Sequence, residues 1–477
     1  MIAVTVDEIA TVLGAELSGP GDATALVTAL TADSRAVTAG ALFAALRGEH
    51  VDGHDYVAAA TAAGAAASLT RHPVAGALCL VVVDPLVALG RLSRYLVDRA
   101  SAAGLQVVGI TGSVGKTSTK DLLAQVLERA GPTVAAVGNL NNELGVPLTV
   151  GRVDEQTRFL VVEMGARGIG HIDYLCDIAP PRVGVVLNVG QAHVGEFGGQ
   201  AAIARAKGEL VEALPNDGWA VLNIDDPLVW SMRRRTGAKV LPWSTTQPLD
   251  DGVWASELVG DAYGRYSFVL HGGRDDQSES PVQLQLTGRH QVANAVAAAA
   301  AAVAVGLELQ QIAVGLAAAG PRSRWRMELH DRSDGVTVIN DSYNANPDSM
   351  RAALTTLAEL GRAGRRTWAV LGDMLELGET AADEHSAIGR FAAQSGIEHL
   401  VTIGEYATRI TSAAVAAGLP ATRAVPVTAK TDAVAVVTRD LGPGDVVLVK
   451  ASRGLALDTV ADEILAAVGP RRHQDAV

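Results

Sequence analysis

Short apolar runs alternate with helical patterns along much of the chain. Leu78–Val83 has the composition of a buried strand, and Pro85–Arg99 follows it with the apolar spacing of a helix. Leu105–Ile110 is a second apolar run, which leads through a glycine-rich turn into a helical pattern over Thr117–Ala130. That pattern stops at Gly131, as expected at a helix end. Strands that alternate with helices predict a doubly wound parallel sheet.

The alternation continues along the chain and falls into three segments. Further strands are predicted at Phe159–Val162, Val183–Val189, Trp219–Asn223, Val336–Ile339, Thr367–Leu371, Leu400–Ile403 and Val446–Val449. Val253–Leu286 is more polar and has period-two stretches, which predict antiparallel strands. An alanine-rich helix after Asn294 closes the middle segment near Gly320 and Pro321.

From this pattern we predict an α/β protein of three domains. The expected limits are 1–104 for an N-terminal α/β domain, 105–320 for a central domain with a parallel doubly wound sheet, and 321–477 for a C-terminal Rossmann-like α/β domain. A length of 477 residues fits three domains of ordinary size. Because 48 % of the residues are hydrophobic but only 4 % are aromatic, alanine, valine and leucine must fill most of the cores.

Charge and cysteine content narrow the class of protein. The net charge of −13 disfavours a nucleic-acid binder, because such proteins need a basic face for the phosphates. Asp7 and Glu8 stand where a signal peptide would be basic, and the apolar run Ala295–Val305 is shorter than the ~20 residues of a membrane span. We therefore expect no membrane insertion. Cys79 and Cys176 form no C-x-x-C pair, which fits a reducing cytoplasm.

A glycine-rich loop between a predicted strand and a predicted helix has the composition of a phosphate-binding loop. Its residues are Thr111, Gly112, Ser113, Val114, Gly115, Lys116, Thr117 and Ser118. Glycines let successive backbone N–H groups point at phosphate oxygens, and the helix N-terminus adds its positive dipole end. Lys116 would reach the β- and γ-phosphates, and the Thr117 hydroxyl would bind Mg²⁺. The loop departs from G-x-x-x-x-G-K-[ST] at Ile110, where the first glycine is expected.

A GTPase is the first alternative for a chain with such a loop. It requires a guanine-reading N/T-K-x-D motif, and the nearest string, 429–432, begins with alanine. That string also lies in the third segment, far along the chain from the loop. The sequence therefore disfavours a GTPase.

Polar residues follow the predicted strands of the central segment, where ligands bind in open α/β sheets. Glu163 ends one strand, at the position of a magnesium ligand in phosphate-loop enzymes. Asn188 and His193 follow the next strand, and Lys207 lies on the helix after it. Taken singly, these side chains also fit a capping carboxylate, a loop histidine and a solvated lysine.

Several longer motifs resemble those of the Mur ligases, ATP-dependent amide-bond enzymes of peptidoglycan synthesis. They stand in the order Gly109–Thr117, Gly138–Pro147, Gly288–Asn294, Asp341–Pro347, and Gly372–Met374 followed by Glu376–Gly378. The resemblance covers nearly the whole chain, and the family's loop does not require glycine at the position of Ile110. The motifs are typical of the member that joins D-alanyl-D-alanine to UDP-N-acetylmuramoyl-tripeptide, the last cytoplasmic peptide-adding step.

The resemblance implies a cytoplasmic ligase that uses ATP and those two substrates, through an acyl phosphate, and we expect a monomer. The relative that adds the third peptide residue typically carries a D-N-P-R motif, which is absent here. Folylpolyglutamate synthetase has its loop much nearer the start of the chain. A non-catalytic alternative, a nucleotide-gated binding module, would release ADP independently of any peptide.

The resemblance also implies roles for individual residues. Thr117 and Glu163 would hold one Mg²⁺, while Glu163 and His193 would help to hold a second, with a CO₂-derived carbamate on Lys207 serving the metal ions. The implied catalytic residues are Lys116, Glu163, His193 and Lys207. Beyond the loop, the implied ATP contacts are Asn294, Arg326 and Asp341.

Substrate contacts are implied in all three segments. Ser34, Arg35 and Arg47 resemble contacts of a uridine-nucleotide binder, and arginine pairs with phosphate in a fork. The others are Asn141, Asn142, Asn344, Lys450, Ser452 and Arg453. The residue types of a metal site also occur together at His50, Asp52, His54 and Asp55, but the family uses such a loop without metal. Because ATP-holding groups lie on two domains, we predict closure about a hinge near Gly320 and Pro321.

Overall fold

Three α/β domains follow one another in the computed structural model, which describes residues 1–48, 50–190, 199–273, 278–362 and 364–467. Within these residues, the N-terminal domain has a five-stranded sheet and a two-stranded pair. The central domain has a nine-stranded sheet, and the C-terminal domain has a six-stranded sheet. The predicted α/β class with three domains is therefore confirmed.

The N-terminal domain is a small sheet with helices packed against it. Its five strands lie in the order Glu16–Ser18, Cys79–Val81, Ala67–Thr70, Ala41–Ala44 and Ala29–Thr31, and Val4–Thr5 pairs with Leu26–Val27 beside them. Its helices are Val6–Leu13, Val57–Ala62 and Pro85–Ala102, with 3₁₀ turns at Ser34–Ala36 and Gly53–Tyr56. The longest helix begins where the sequence predicts, because the Asp84 side chain accepts hydrogen bonds from the N–H groups of Leu86 and Val87.

The central domain contains the parallel sheet that the strand–helix alternation predicts. Its strands lie in the order Thr133–Ala135, Phe159–Glu163, Gln106–Thr111, Val183–Val186, Trp219–Asn223, Lys239–Ser244, Val253–Gly260, Arg265–Gly272 and Ser278–Thr287. Neighbours among the last three pair as antiparallel strands, as the period-two pattern predicts, and the preceding pairings are parallel. The helices are Lys116–Glu128, Gly145–Val150, His171–Ile178, Gln200–Glu212, Pro227–Ser231, His290–Ala304 and Leu309–Ala318. We call Lys116–Glu128 the phosphate-loop helix.

The closing part of the central domain differs in detail from the prediction of one helix after Asn294. The helix begins earlier, at His290, and ends before Gly306, whose φ of 97° separates it from a second helix. Ala295 and the run 297–302 are fully buried against the sheet and the phosphate-loop helix. At Gly315 of the second helix, an added Cβ would lie 3.1 Å from Val126 Cα, so the backbones approach closely. Small side chains thus fill this part of the core in place of aromatic residues.

The C-terminal domain repeats the strand–helix arrangement. Its strands lie in the order Glu328–Asp331, Thr337–Asn340, Val446–Lys450, Thr367–Gly372, His399–Ile403 and Ala424–Val427, and only the first pairing is antiparallel among those described. Its helices are Pro347–Gly361, Ala381–Gln394, Ala407–Ala416, Lys430–Asp440 and Asp458–Ala466. A capping box between Asn346 and Ser349 begins the first of them.

The N-terminal and central domains share one hydrophobic cluster. Leu89 and Leu92 of the N-terminal domain belong to the same buried group as Leu175 and Ile178 of the central domain. Among the described helices, none is long and apolar enough to cross a membrane.

A buried lysine ties the phosphate-loop helix to the segment that leads to Asn141. Lys120 is 1 % exposed, and its Nζ donates to the carbonyl oxygens of Ala136 at 2.6 Å and Gly138 at 3.3 Å. The Asp121 carboxylate lies 2.7 Å from the same Nζ. The cation therefore has a full set of acceptors in place of water.

We expect Lys120→Ala to lower the free energy of unfolding by about 3 kcal/mol, because it leaves a partly buried carboxylate and two carbonyl groups without their donor. Urea denaturation measures the loss. Arg129→Ala is the control, since this exposed residue follows the same helix, and its effect should stay within about 0.5 kcal/mol. Equal effects of the two substitutions would contradict this account of Lys120.

Candidate active site

The phosphate loop, residues 111–118, is closely confined between neighbouring elements. Gly115 begins the phosphate-loop helix with φ of 86°, a left-handed conformation that favours glycine. A Cβ there would lie 2.4 Å from Asn294 Oδ1, and a Cβ at Gly112 would lie 2.9 Å from Leu187 Cβ. Both positions therefore require glycine, and the backbone takes the tight path that a phosphate cradle needs.

Asn188 braces the loop from the next strand. Its Oδ1 accepts hydrogen bonds from the N–H groups of Ser113 at 3.0 Å and Val114 at 2.9 Å, and its Nδ2 donates to the Val114 carbonyl at 3.1 Å. The Ser113 hydroxyl accepts from the Gly190 N–H. The sequence places Asn188 at a strand end, but its role as a brace became apparent only from the structure.

Glu163 lies between two of the predicted site residues. It is 1 % exposed, and its carboxylate accepts hydrogen bonds from Thr117 Oγ1 and Asn141 Nδ2, both at 2.8 Å. A carboxylate and a hydroxyl are ligand types that Mg²⁺ prefers, and Mg²⁺ usually takes one or two carboxylates together with phosphates and waters. The donor set therefore fits a magnesium ion shared with a nucleotide. No described group of three or more His, Cys, Asp or Glu side chains forms an all-protein metal cage.

Lys116 is held over the loop, and its Nζ donates to the Gly112 carbonyl at 2.8 Å. Burial lowers the pKa of Lys116, the negative charge of Glu163 raises it, and the positive charge of Arg326 lowers it further. The structure thus brings a residue of the C-terminal domain close enough to the loop to act on Lys116.

Lys207 is a buried amine with an unusual electrostatic environment. It lies on the helix Gln200–Glu212 and is 6 % exposed. Burial brings the pKa of Lys207 well below its ordinary value, and the nearby positive charge of Lys116 lowers it further. No carboxylate among the described residues raises it. His193, predicted as its neighbour in the site, lies outside the described residues.

Arg326 belongs to the C-terminal domain and lies near Lys116 of the loop. Its guanidinium lies over the Tyr343 ring, 4.2 Å from the centroid, and its Nε is buried without a hydrogen-bond partner in the described part of the chain. The residues on either side, Trp325 and Met327, have φ of 59° and 50°, which is rare for side chains of this size. Such local strain is typical of functional sites.

Asp341 forms a buried ion pair beside Arg326. Its Oδ2 accepts from Lys450 Nζ at 2.6 Å, and its Oδ1 accepts from the Met327 N–H at 3.0 Å. Lys450 also donates to the Asn344 carbonyl at 2.9 Å, so three predicted site residues form one cluster. Lys450 is almost fully buried, and both of these hydrogen bonds are to protein groups.

Ser452 joins the loops at the carboxyl edge of the C-terminal sheet. Its hydroxyl accepts from the Leu375 N–H at 2.9 Å and donates to the Ala345 carbonyl at 3.3 Å. Arg453 next to it pairs with Asp458 at 2.6 Å and lies 4.1 Å over the Trp325 ring. These residues therefore face the same edge as Arg326.

Other predicted site residues make local contacts. Asn142 Oδ1 accepts from the Gly145 N–H, which begins a helix, and Asn344 Oδ1 accepts from the Ala345 N–H. Ser118 is half-buried in the first turn of the phosphate-loop helix, and the Thr111 hydroxyl is buried without a partner among the described residues.

The predicted uridine-side residues lie on the N-terminal domain, apart from the loop. Arg35 is exposed and pairs with Asp33 at 2.8 Å, which holds the pKa of Asp33 at about 2. Ser34 lies in the same 3₁₀ turn, and the exposed Arg47 forms a β-bridge with Asp52. No described contact joins them to the phosphate loop.

His54 is committed to protein partners. Its Nδ1 lies 2.7 Å from Asp52 Oδ1, and its Nε2 accepts from the Arg71 N–H at 2.9 Å. With both ring nitrogens occupied, it positions a turn of the N-terminal domain.

A cavity of about 300 Å³ lies between the central and C-terminal domains. Its lining includes Thr245, Arg289, His290 and Ala293 of the central domain and Thr356 of the C-terminal domain. Burial lowers the pKa of His290, whose Nδ1 has no hydrogen-bond partner among the described residues.

Glu209 is a site residue whose role the sequence did not indicate. Its carboxylate accepts from the Gly170 N–H at 2.6 Å and the Asp173 N–H at 3.1 Å, at the N-terminus of the helix His171–Ile178. It thereby fixes the loop that follows Glu163. The signal in the sequence that could have indicated Glu209 is its position two residues after Lys207.

Comparison with known proteins matches all three domains. Family models match residues 26–106 as "Mur ligase family, catalytic domain", 110–302 as "Mur ligase middle domain" and 325–453 as "Mur ligase, glutamate ligase domain". The UDP-N-acetylmuramoyl-tripeptide–D-alanyl-D-alanine ligase of Mycobacterium bovis is 44 % identical over 98 % of this chain and 98 % of its own.

Solved structures agree with the sequence relatives. A crystal structure of MurF from Acinetobacter baumannii has a TM-score of 0.86 and 30 % identity, covering 98 % of this chain and 99 % of that one. The MurF ligase of Thermotoga maritima in complex with ADP has a TM-score of 0.79 and 26 % identity, covering 92 % of this chain and 97 % of its own. The resemblance seen in the motifs is therefore confirmed, and the chain belongs to the Mur ligase family.

Proposed function

We propose that this protein joins D-alanyl-D-alanine to UDP-N-acetylmuramoyl-tripeptide in an ATP-dependent reaction of peptidoglycan synthesis. The observation that carries the proposal is the convergence of Lys116, Glu163, Lys207 and Arg326 on one phosphate loop. Full-length similarity to the Mycobacterium bovis ligase of that name supports the substrate pair. The same coverage favours this function over the ligase that adds the third residue and over folylpolyglutamate synthetase.

The chemistry requires a carboxylate to approach a polyanion. The tripeptide carboxylate attacks the γ-phosphorus of ATP, which forms an acyl phosphate and releases ADP. The amine of D-alanyl-D-alanine then attacks the acyl carbon, forms the amide, and expels phosphate while losing a proton. Lys116 and Arg326 offset the repulsion between the anions in the first step. Neither step needs a covalent protein nucleophile.

We propose that Thr117 and Glu163 bind one Mg²⁺. Their side-chain oxygens lie 2.8 Å apart beside the loop. Bound there, Mg²⁺ would neutralise phosphate charge. We assign a second Mg²⁺ to Glu163, His193 and a carbamate on Lys207. The ADP complex of the Thermotoga maritima relative supports the nucleotide part of the assignment.

The environment of Lys207 supports the carbamate. Burial and the positive charge of Lys116 both disfavour the protonated form of Lys207, and the neutral amine is the form that adds CO₂. The addition forms an N–C bond, releases one proton and replaces a potential cation by an anion. An anion beside Lys116 is electrostatically favourable, whereas a second cation is not.

We place the base of the nucleotide in the cavity between the central and C-terminal domains. Asn294 connects this cavity with the loop, because its Oδ1 lies against Gly115 of the loop on one side and its neighbour Ala293 lines the cavity on the other. A nucleotide that starts on the loop would pass Asn294 before reaching His290. Asp341 would approach the nucleotide from the C-terminal side.

The remaining assignments complete the proposal. Ser34, Arg35 and Arg47 would bind the uridine diphosphate end of one substrate, and the other proposed substrate contacts are Asn141, Asn142, Asn344, Lys450, Ser452 and Arg453. The proposed domain limits are 1–104, 105–320 and 321–477. The two free cysteines and the use of ATP support a cytoplasmic location, and we propose a monomer.

Phosphate release with ATP, UDP-N-acetylmuramoyl-tripeptide and D-alanyl-D-alanine tests the reaction. We expect release only when both substrates are present, because the acyl phosphate needs the first and its breakdown to product needs the second. Single amino acids and folate substrates are the controls. Activity only with a free amino acid would exclude the proposed reaction, and peptide-independent ADP release would indicate a nucleotide-gated binding module.

Lys207→Ala tests the carbamate. We expect kcat to fall about 100-fold or more, because an anion that serves the metal ions is lost, and short carboxylates such as acetate should restore part of the activity. Lys207→Arg should be inactive without rescue, since it fills the space with a permanent cation. Lys239→Ala, at an exposed lysine, is the control. Full activity of Lys207→Ala without added carboxylate would rule the carbamate out.

A further inference from the structure

The linker between the central and C-terminal domains is bound to the phosphate-loop helix by two side chains. Gln125 makes reciprocal hydrogen bonds with Gly320, donating to its carbonyl at 3.0 Å and accepting from its N–H at 3.1 Å. The same amide donates to the Asp121 carbonyl at 3.0 Å, which fixes its orientation. Two residues further on, Arg322 donates two hydrogen bonds to the Glu128 carboxylate, one of them at 2.6 Å. The linker up to Arg322 is therefore attached to the central domain.

The following residues are attached to the C-terminal domain instead. The Trp325 carbonyl accepts from the Tyr343 N–H at 3.1 Å, and the Met327 N–H donates to Asp341 Oδ1 at 3.0 Å. Arg453 covers the Trp325 ring at 4.1 Å. Residues 325–327 therefore move with the C-terminal domain.

Only Ser323 and Arg324 remain between the two attached ends. Two residues span at most ~7 Å, so Arg326 stays close to the point about which the domains turn. Release of the linker from the helix would free residues 320–324, which span up to ~17 Å, and the position of Arg326 would no longer be fixed relative to Lys116. Gly320 and Pro321, which the sequence marks as the hinge, lie on the attached side.

We propose that Gln125 and Glu128 are positioning residues for the ligase reaction, because they confine domain rotation to Ser323 and Arg324 and thereby set Arg326 opposite the phosphate loop. The inference rests on the proposed function, in which Arg326 faces the transferred phosphate. Neither side chain touches the loop itself, so both act through Arg326.

Steady-state kinetics of Gln125→Ala and Glu128→Ala tests this positioning. Each substitution should lower kcat about 3- to 10-fold and change KM for ATP less than about twofold, since the loop that binds the phosphates is unaltered. Asp98→Ala is the matched control, because Asp98 also binds an arginine, Arg94, through both carboxylate oxygens on an exposed helix face. Its kinetics should equal those of the unaltered protein, and Gln125→Ala kinetics equal to the control would overturn the proposal.

A double-mutant cycle separates positioning from a general loss of stability. In an Arg326→Ala background, Gln125→Ala should cause no further fall in kcat, because the group it positions is already absent. The charge exchange Glu128→Arg with Arg322→Glu should restore most of the activity lost in either single variant. Additive losses in the Arg326→Ala background, or no recovery in the exchange, would contradict the proposal.

Limited digestion with trypsin tests the attachment of the linker to the phosphate-loop helix without an assay of ligase activity. Cleavage after Arg322 should become at least several-fold faster in Gln125→Ala, while cleavage after Arg324 at the pivot should change little. If the unaltered protein lacks ligase activity, the proposed function fails, and digestion still decides whether the linker is attached. Unchanged cleavage after Arg322 in an active ligase would overturn the positioning role alone.

Discussion

Positive charge gathered around the buried carboxylate of Glu163 is the constraint on which the site depends. Besides burial, the charge of Lys116 lowers the pKa of Lys207, and the charge of Arg326 lowers the pKa of Lys116. Glu163 is the carboxylate that raises the pKa of Lys116. Burying cations beside one another is unfavourable unless an anion compensates them. The triphosphate of ATP is such an anion. Burial and the same imbalance of charge hold the pKa of Lys207 well below its ordinary value, because a further cation beside Lys116 is unfavourable.

The scaffold holds these groups through close backbone contact more than through surface ion pairs. Gly112 and Gly115 allow the loop to pass Leu187 and Asn294 at distances that no Cβ would permit. The alanine-rich helix lets Asn294 come that near, because its small side chains bring it against the phosphate-loop helix. The low aromatic content, which leaves the cores to alanine, valine and leucine, thus permits this close approach at the site.

The features that the sequence predicts are those that local sequence patterns determine. The strand–loop–helix order around Lys116 and the position of Glu163 at a strand end follow from periodicity and from the edge rule for parallel sheets. The brace from Asn188 to Ser113 of the loop spans 75 positions, and the contact between Gln125 and Gly320 spans 195. Such pairs depend on how elements pack, which periodicity does not report. The single helix predicted after Asn294 is two helices, because Gly306, just after the apolar run Ala295–Val305, separates them.

Glycine and proline mark a break in secondary structure, yet a break is a pivot only where its backbone groups are unattached. At Gly320 the N–H and the carbonyl are both bound by Gln125, so the residue with the greatest intrinsic freedom is fixed. Trp325 and Met327, in contrast, adopt left-handed conformations that their side chains disfavour, and the C-terminal domain holds them there. The attachment of this linker is therefore determined by tertiary hydrogen bonds and only secondarily by residue type. Since Arg326 lies between the two strained residues, the hydrogen bonds that hold Trp325 and Met327 also fix the backbone of Arg326.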